Sequence, residues 1–242
     1  MREPSLSNHV IWFDKLSTAD EDKVGGKNAS LGEITSKLQG LGIKSPKGFA
    51  TPFSSFNEFI QQNNLDQKIA GILTEMDAAD HRSIASASLE ITKLIKQSKL
   101  PLELTKNVEA ALVTLQGDSK SLSVAVRSSA TQEDSDNASF AGQQKTLLNV
   151  SGSQNIIEAI IDIYASLYSE RAMSYRIHQG IAHDGMAMSV GIQEMVRSES
   201  GSAGVMFTLD TESGFDQVVF ITSAFGLGET VVQGAVNPDE FY

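Results

Sequence analysis

The 242-residue sequence contains no cysteine, which excludes a disulfide framework, thiolate ligands for zinc or iron–sulfur clusters, and a cysteine nucleophile. Basic residues are few: 19 lysines and arginines against 30 aspartates and glutamates give a formal net charge of −11. This balance differs from the basic footprint of a duplex-binding protein, so we expect no nucleic-acid partner. No apolar run is long enough to cross a bilayer or to form a signal peptide. We therefore expect a cytoplasmic protein with no membrane partner.

The apolar periodicity predicts both helices and strands. Between about residues 50 and 116 it predicts three amphipathic helices, the first of which runs from Phe56 through Met76. A long helix is predicted over Asn155–Tyr175. The predicted strands cover Val10–Phe13, 122–126, Thr146–Val150, Met186–Val196, Ala203–Leu209 and Gln217–Ala224. Because these elements do not alternate as regular βαβ units, we predict an α+β fold with a small helical subdomain (about 50–116) inserted before a mixed lobe over 117–242.

The first candidate site is the turn Gly25–Gly26–Lys27, which precedes a segment of helical periodicity. Two glycines let the backbone approach a ligand closely, and the free N–H groups of a helix N-terminus favour phosphate. Lys27 adds a mobile positive charge. The spacing is not that of a Walker A loop. Phosphate binding is one interpretation, and a plain turn with a surface lysine is the other.

The second candidate is Arg127, which follows the apolar strand residues Val124–Val126. A guanidinium group is always charged and can hold two phosphate oxygens at once. The alternative is a structural ion pair with Glu133 or Asp134.

The third candidate is the small-residue loop Ser139–Gln143, where Gly142 permits close backbone approach to a triphosphate and Lys145 or Thr146 can donate. A plain hairpin loop would have the same composition.

Two further segments can serve a nucleotide. The backbone of Gln193, Glu194, Met195 and Val196, at the end of a predicted strand, can pair with the edge of an adenine ring, although a buried strand has the same pattern. Glu229 follows a Gly-Leu-Gly turn, where a carboxylate can bind Mg²⁺ or cap a helix.

Four segments, in this order, resemble the ATP-binding domain of the phosphoenolpyruvate synthases: Val24–Glu33, Val124–Thr131, Ser139–Gln143 and Gly226–Glu229. The resemblance covers about Val10 to Tyr242. The closing segments 200–208 and 231–242 look more like this family than like its relatives pyruvate phosphate dikinase, rifampicin phosphotransferase and glucan water dikinase.

The resemblance implies an ATP-grasp-like nucleotide-binding domain whose two lobes close on Mg-ATP. It puts Lys27 and Arg127 on the phosphates as catalytic groups and Gln193–Val196 along the adenine. The loop over the phosphates would contribute Ser139, Ala141, Gly142 and Gln143. No metal ligand is assigned beyond Glu229 as a candidate. Lys145 departs from the family pattern, in which an acidic residue more often follows the glycine loop.

The family reaction, that of pyruvate, water dikinase, converts ATP, pyruvate and water to phosphoenolpyruvate, AMP and phosphate. A histidine on a separate domain carries the phosphoryl group to a barrel that binds pyruvate. This chain lacks the Thr-Ser-His carrier motif and the barrel, and it ends without a polar tail, so we expect a piece of a longer gluconeogenic enzyme. The segment alone should bind ATP and Mg²⁺ but be inactive. Alternatives are a related dikinase-type phosphotransferase with an antibiotic or glucan acceptor, and a non-catalytic nucleotide-binding module.

Overall fold

The computed structural model describes residues 9–131, 134–135, 138–139 and 145–242, with the side chains of Gln39 and of the two dipeptides excepted. The helices are α1 (Glu21–Gln39), α2 (Phe53–Gln62), α3 (Leu65–Glu75), α4 (His81–Lys96), α5 (Leu102–Gln116), α6 (Ser153–Ser166), α7 (Glu170–Gln179) and α8 (Gly228–Val232). The strands are β1 (Ile11–Trp12), β2 (Gly48–Thr51), β3 (Val124–Ala130), β4 (Asp134–Ser135), β5 (Ala138–Ser139), β6 (Thr146–Val150), β7 (Met188–Glu194), β8 (Ser202–Phe207), β9 (Phe220–Phe225) and β10 (Asp239–Phe241).

A 5-stranded sheet with the order β1-β2-β7-β3-β6 forms the centre of the first part of the chain. Every neighbouring pair in it is antiparallel, and β7 pairs with both β2 and β3. Sequence periodicity missed β2, because all of its residues are buried and a fully buried strand shows no alternation of apolar and polar residues. The antiparallel sheet and its helices confirm the mixed, α+β class.

Helices cover both faces of this sheet. On one face α2 and α6 pack against β7 and β3, and the shared core includes Phe49, Val126 and Ile192 from the strands. On the other face α1 covers a smaller apolar cluster that includes Phe13 and Ala50. This second face also carries polar strand residues, among them Arg127 and Ser129 on β3 and Ser189 on β7.

The first predicted helix is wrong in its extent, because the chain forms two helices where one was expected. The Asn63 side chain donates to the carbonyl of Phe59 at 2.8 Å, at the end of α2, and to that of Lys99 at 3.0 Å, in the connection after α4. Asn64 then takes a left-handed conformation with φ 50°, and α3 starts in a new direction. Asparagine tolerates this conformation better than most residues.

The predicted helix over Asn155–Tyr175 is also divided, into α6 and α7. The first ends at Ser166, and Ser169 caps the second: its side-chain oxygen accepts a hydrogen bond from the Ala172 N–H at 3.3 Å. A serine at this position is a good N-cap, and its extended backbone breaks the helix.

The chain separates into two compact units between Met195 and Val196. The predicted helical subdomain (about 50–116) and mixed lobe (117–242) describe a different division of the chain, which stays a prediction. The second unit, Val196–Tyr242, contains a 3-stranded antiparallel sheet of order β10-β9-β8, with α8 packed on β8 and β9. Within the described ranges, no helix is both long and apolar enough to span a bilayer.

Candidate functional site

The predicted Gly-Gly turn is a sharp kink inside α1. Gly25 has φ 76° and ψ 159°, so the continuous helix restarts at Gly26 and places Lys27 and Asn28 in its first turn. A Cβ at position 25 would overlap the Ser129 hydroxyl oxygen, and the positive φ independently favours glycine. One helical turn precedes the kink, which the sequence pattern did not predict.

Arg127 lies half-buried in the middle of β3. Its Nη1 donates a long hydrogen bond to the Gln193 Oε1 on β7, at 3.5 Å. The Gln193 amide in turn donates to the Pro46 carbonyl at 3.4 Å. The structure thereby brings together two candidates, Arg127 and Gln193, that are far apart in the sequence.

The turn and Arg127 share one face of the sheet. The strand register sets Ser129 opposite Ser189 and Arg127 opposite Gly191. Gly25 contacts Ser129 of the first pair, and the buried Asn28 lies against Gly191 of the second. The start of the long helical part of α1 therefore lies on β3 and β7, beside the position of Arg127.

The predicted adenine segment uses two of its backbone donors within the protein. The Glu194 N–H donates to the Lys47 carbonyl at 2.8 Å, and the Met195 N–H donates to the Ser123 carbonyl at 2.9 Å. A purine edge would therefore need other backbone groups of this segment. Val196 begins the second unit and has an exposed side chain.

Part of the predicted phosphate loop lies outside the described residues. This applies to Ala141, Gly142 and Gln143, while Ser139 is described only as backbone in β5.

Lys145, which was predicted as a further donor of this loop, instead forms an ion pair with Asp162 on α6. Its Nζ lies 3.1 Å from Asp162 Oδ2, and Lys96 of α4 lies 3.0 Å from the other carboxylate oxygen. Burial alone would raise the pKa of Asp162, but hydrogen bonds from Lys96 and Lys145 outweigh it and hold the pKa below its ordinary value. Position 145 thus joins β6 to the helical layer.

Glu229 lies in the first turn of α8, where Leu227 is the N-cap, so the predicted capping role is wrong. Its carboxylate accepts from the Gln233 side chain at 3.0 Å and is otherwise exposed. The part of the chain that the structure describes contains no group of three acidic or histidine side chains close enough to hold a metal ion.

Comparison with known proteins gives consistent results. The chain is 52% identical over 237 residues to a phosphoenolpyruvate synthase of Neisseria meningitidis serogroup B, covering 97% of this chain and 30% of that protein. It is 52% identical over 233 residues to the phosphoenolpyruvate synthase of Escherichia coli, covering 96% and 29%. A third, from Pseudomonas aeruginosa, is 51% identical over 237 residues, covering 98% and 30%.

The chain therefore spans about 30% of the length of these curated relatives. The model of the family "Pyruvate phosphate dikinase, AMP/ATP-binding domain" matches residues 21–242. This match includes the Gly25 turn, Arg127 and Gln193. On these grounds, the chain belongs to the family of the pyruvate phosphate dikinase AMP/ATP-binding domain.

Proposed function

We propose that this chain is the ATP-binding part of a cytoplasmic phosphoenolpyruvate synthase with an ATP-grasp-like fold. The parent enzyme would convert ATP, pyruvate and water to phosphoenolpyruvate, AMP and phosphate through a phosphohistidine carrier. One observation carries the ATP site: the helix that restarts at Gly26 lies on the two strands that hold Arg127 and Gln193. The identity to proteins named phosphoenolpyruvate synthase supports the parent reaction.

The phosphates are proposed to bind at the helix start. The first backbone N–H groups of a helix have no partner within it, and its dipole favours an anion at that end. Lys27 lies in this first turn, and Arg127 lies on the adjacent strand. Phosphoryl transfer depends mainly on positioning and on neutralising charge in the transition state, which a lysine, an arginine and backbone donors can supply. The Ser139–Gln143 loop is proposed to cover the phosphates.

Gln193 has a supporting role in this proposal. Its side-chain oxygen accepts from Arg127, which restricts the guanidinium to one side of β7. The following residues, Glu194–Val196, are proposed to line the adenine through backbone groups other than the two N–H donors already paired. Gln193 would thus couple the phosphate and base ends of the nucleotide site.

Mg²⁺ would enter as the Mg-ATP complex and shield the phosphate charge. The described residues provide no group of three ligands for it, and the Glu229 carboxylate is engaged by Gln233. We therefore propose that the ion is held by the ATP phosphates and assign it no protein ligand.

Calorimetric titration with Mg-ATP tests the phosphate site. We expect Arg127→Ala to weaken binding by about 10- to 100-fold, because a hydrogen-bonded charge contributes about 1.5–3 kcal/mol. Arg82→Ala is the matched control, since Arg82 is exposed at the start of α4. Equal affinities for the two variants would remove Arg127 from the site.

A labelling experiment on the full natural gene product tests the parent reaction. The protein is incubated with ATP labelled at either the β or the γ phosphate, and acid-labile phosphohistidine is measured. Retained β label that is lost when pyruvate is added supports the proposal. If pyruvate does not remove the label, the enzyme uses another acceptor. If the protein is not labelled at all, the chain is a nucleotide-binding module without this reaction.

A further inference from the structure

We propose that Asn28 is a positioning residue of the phosphate site, whose buried carboxamide fixes the helix start and Lys27 over β7. This inference rests on the proposed function and adds a residue to it. Asn28 is only 1% exposed, so it acts through its neighbours and not by touching the nucleotide.

The Asn28 amide nitrogen uses both of its hydrogens. One is donated to the Val24 carbonyl at 3.2 Å, and this bond spans the kink at Gly25. The other is donated to the Ser189 hydroxyl at 2.9 Å, and that hydroxyl donates to the Thr51 carbonyl at 2.7 Å. A buried chain of hydrogen bonds thus links α1 to β7 and β2. Such a chain is costly to disrupt, because any member left without its partner has lost water as well.

The contact between Asn28 and β7 also requires a residue without a side chain at position 191. The Asn28 carboxamide lies against Gly191, where a Cβ would overlap the Asn28 side-chain oxygen. Gly191 is also the register partner of Arg127. The point at which Asn28 meets the sheet is therefore next to the residue that is proposed to bind phosphate.

The kink explains why the helix start needs this anchor. Gly25 has a positive φ and no side chain, so the backbone there does little to restrict the direction of the helix. The carboxamide one residue after Lys27 fixes that direction by its bonds on both sides of the kink. Binding sites lose affinity and rate steeply when a group is displaced by about 1 Å.

The test compares Asn28→Ala with Asn63→Ala by Mg-ATP calorimetry and urea unfolding. Asn63, at the end of α2, is a matched control, since its carboxamide also donates to the carbonyl four residues earlier and to a carbonyl distant in the sequence, that of Lys99. We expect both variants to be less stable. Only Asn28→Ala should bind Mg-ATP more weakly, by at least about tenfold.

A double-mutant cycle tests the contact itself. Gly191→Ala should weaken binding in the wild-type background by pushing the carboxamide away. The factor by which the double variant Asn28→Ala/Gly191→Ala weakens binding should be smaller than the product of the two factors measured for the single variants. The reason is that no carboxamide remains for the added Cβ at position 191 to overlap. If Asn28→Ala does not fold, Ser189→Ala takes its place, since it removes one hydrogen-bond partner and adds no bulk.

The outcomes separate the two proposals. If the wild-type chain binds Mg-ATP and Lys27→Ala weakens binding, but Asn28→Ala or Ser189→Ala binds as tightly as Asn63→Ala, the role of Asn28 is overturned and the ATP site stands. The role of Asn28 is also overturned if, across all the variants, the loss of Mg-ATP affinity simply parallels the loss in free energy of unfolding. If the wild-type chain does not bind Mg-ATP, the proposed function and this inference both fail.

Discussion

At the scale of single residues, two neighbouring cations, Arg127 on β3 and Lys145 just before β6, have different surroundings. Arg127 faces Gln193 on β7, whereas Lys145 pairs with Asp162 on α6. The two positions are close, because the Ser128 N–H donates to the Lys145 carbonyl at 3.1 Å. Their charges and their glycine- or serine-rich neighbours are alike in the sequence. The direction of each side chain separates Arg127, the proposed phosphate ligand, from Lys145 and its ion pair with Asp162.

Lys145→Met tests this distinction. We expect Mg-ATP affinity to be unchanged and the free energy of unfolding to fall by at most about 1 kcal/mol, as is usual for a half-exposed ion pair. Calorimetry and urea unfolding at neutral pH measure the two quantities. Asp162→Asn removes the charge shared by Lys96 and Lys145 and should destabilise more. A large loss of affinity in Lys145→Met would show that this lysine serves the nucleotide after all.

At the scale of secondary-structure elements, α7 is held by a buried arginine. The Arg176 Nη2 donates to the Leu167 carbonyl at 2.7 Å and its Nε to His183 Nδ1 at 3.0 Å. Burial lowers the pKa of Arg176 to about 10, which leaves it charged at neutral pH. Burial, together with the Arg176 charge, lowers the pKa of His183. His183 must therefore be neutral to accept this hydrogen bond.

This pair makes stability depend on pH. The unfolded histidine has a pKa of about 6.5 and the folded one a lower pKa, so below about pH 6.5 the unfolded state binds more protons. We expect the free energy of unfolding to fall between pH 7.5 and 5.5. His183→Asn keeps an acceptor for Arg176 but cannot titrate, and it should reduce the slope. His178→Asn, at an exposed position of α7, is the control, and equal slopes in both variants would contradict the assignment.

The break between α2 and α3 depends on one backbone conformation. Asn64 has φ 50°, which a β-branched residue adopts only at a cost of about 1–2 kcal/mol. We expect Asn64→Val to lower the free energy of unfolding by that amount, and Asn64→Gly to leave it nearly unchanged. Gln62→Val, in the last turn of α2, controls for helix propensity. If all three variants unfold at the same urea concentration, the left-handed residue does not determine the break.

At the scale of the whole molecule, the two units differ in how much core they possess. In Val196–Tyr242, all of which the structure describes, Phe220 is the one buried hydrophobic residue. Large side chains such as Met206 and Phe225 are 66% and 90% exposed. The first unit, in contrast, buries an extensive core that spans its sheet and helices. A small unit with little buried apolar surface has little free energy to resist opening.

Hydrogen exchange measures this difference. We expect the amides of β8 and β9 to exchange at least about tenfold faster than those of β3 and β7, since protection follows the free energy of local opening. Both pairs of strands are hydrogen-bonded, so the comparison does not depend on secondary structure alone. Equal protection would mean that the second unit is stabilised by more than its own contacts.

The amino-acid sequence by itself determined the class of the fold and the types of side chain available for a binding site. Periodicity predicted β6 at the observed residues and predicted α4 and α5, because amphipathic patterns of sufficient length are local properties. The Gly-Gly-Lys turn predicted a helix start near Lys27. The prediction that Arg127 follows its strand was wrong, because β3 continues through Ala130 and Arg127 lies in its middle. Where local signals compete, as at Asn64 and Ser169, the sequence pattern ran across the break.

Only the tertiary structure decided which of these residues meet. Asn28, Ser189 and Gly191 come together because α1 crosses β7, and Gln193 reaches Arg127 because β7 pairs with β3. Strand order and register are set by packing one face of the sheet against a core, and a shift of one residue would turn each of these side chains to the opposite face. That selection depends on contacts between distant parts of the chain, so no local pattern of the sequence contains it.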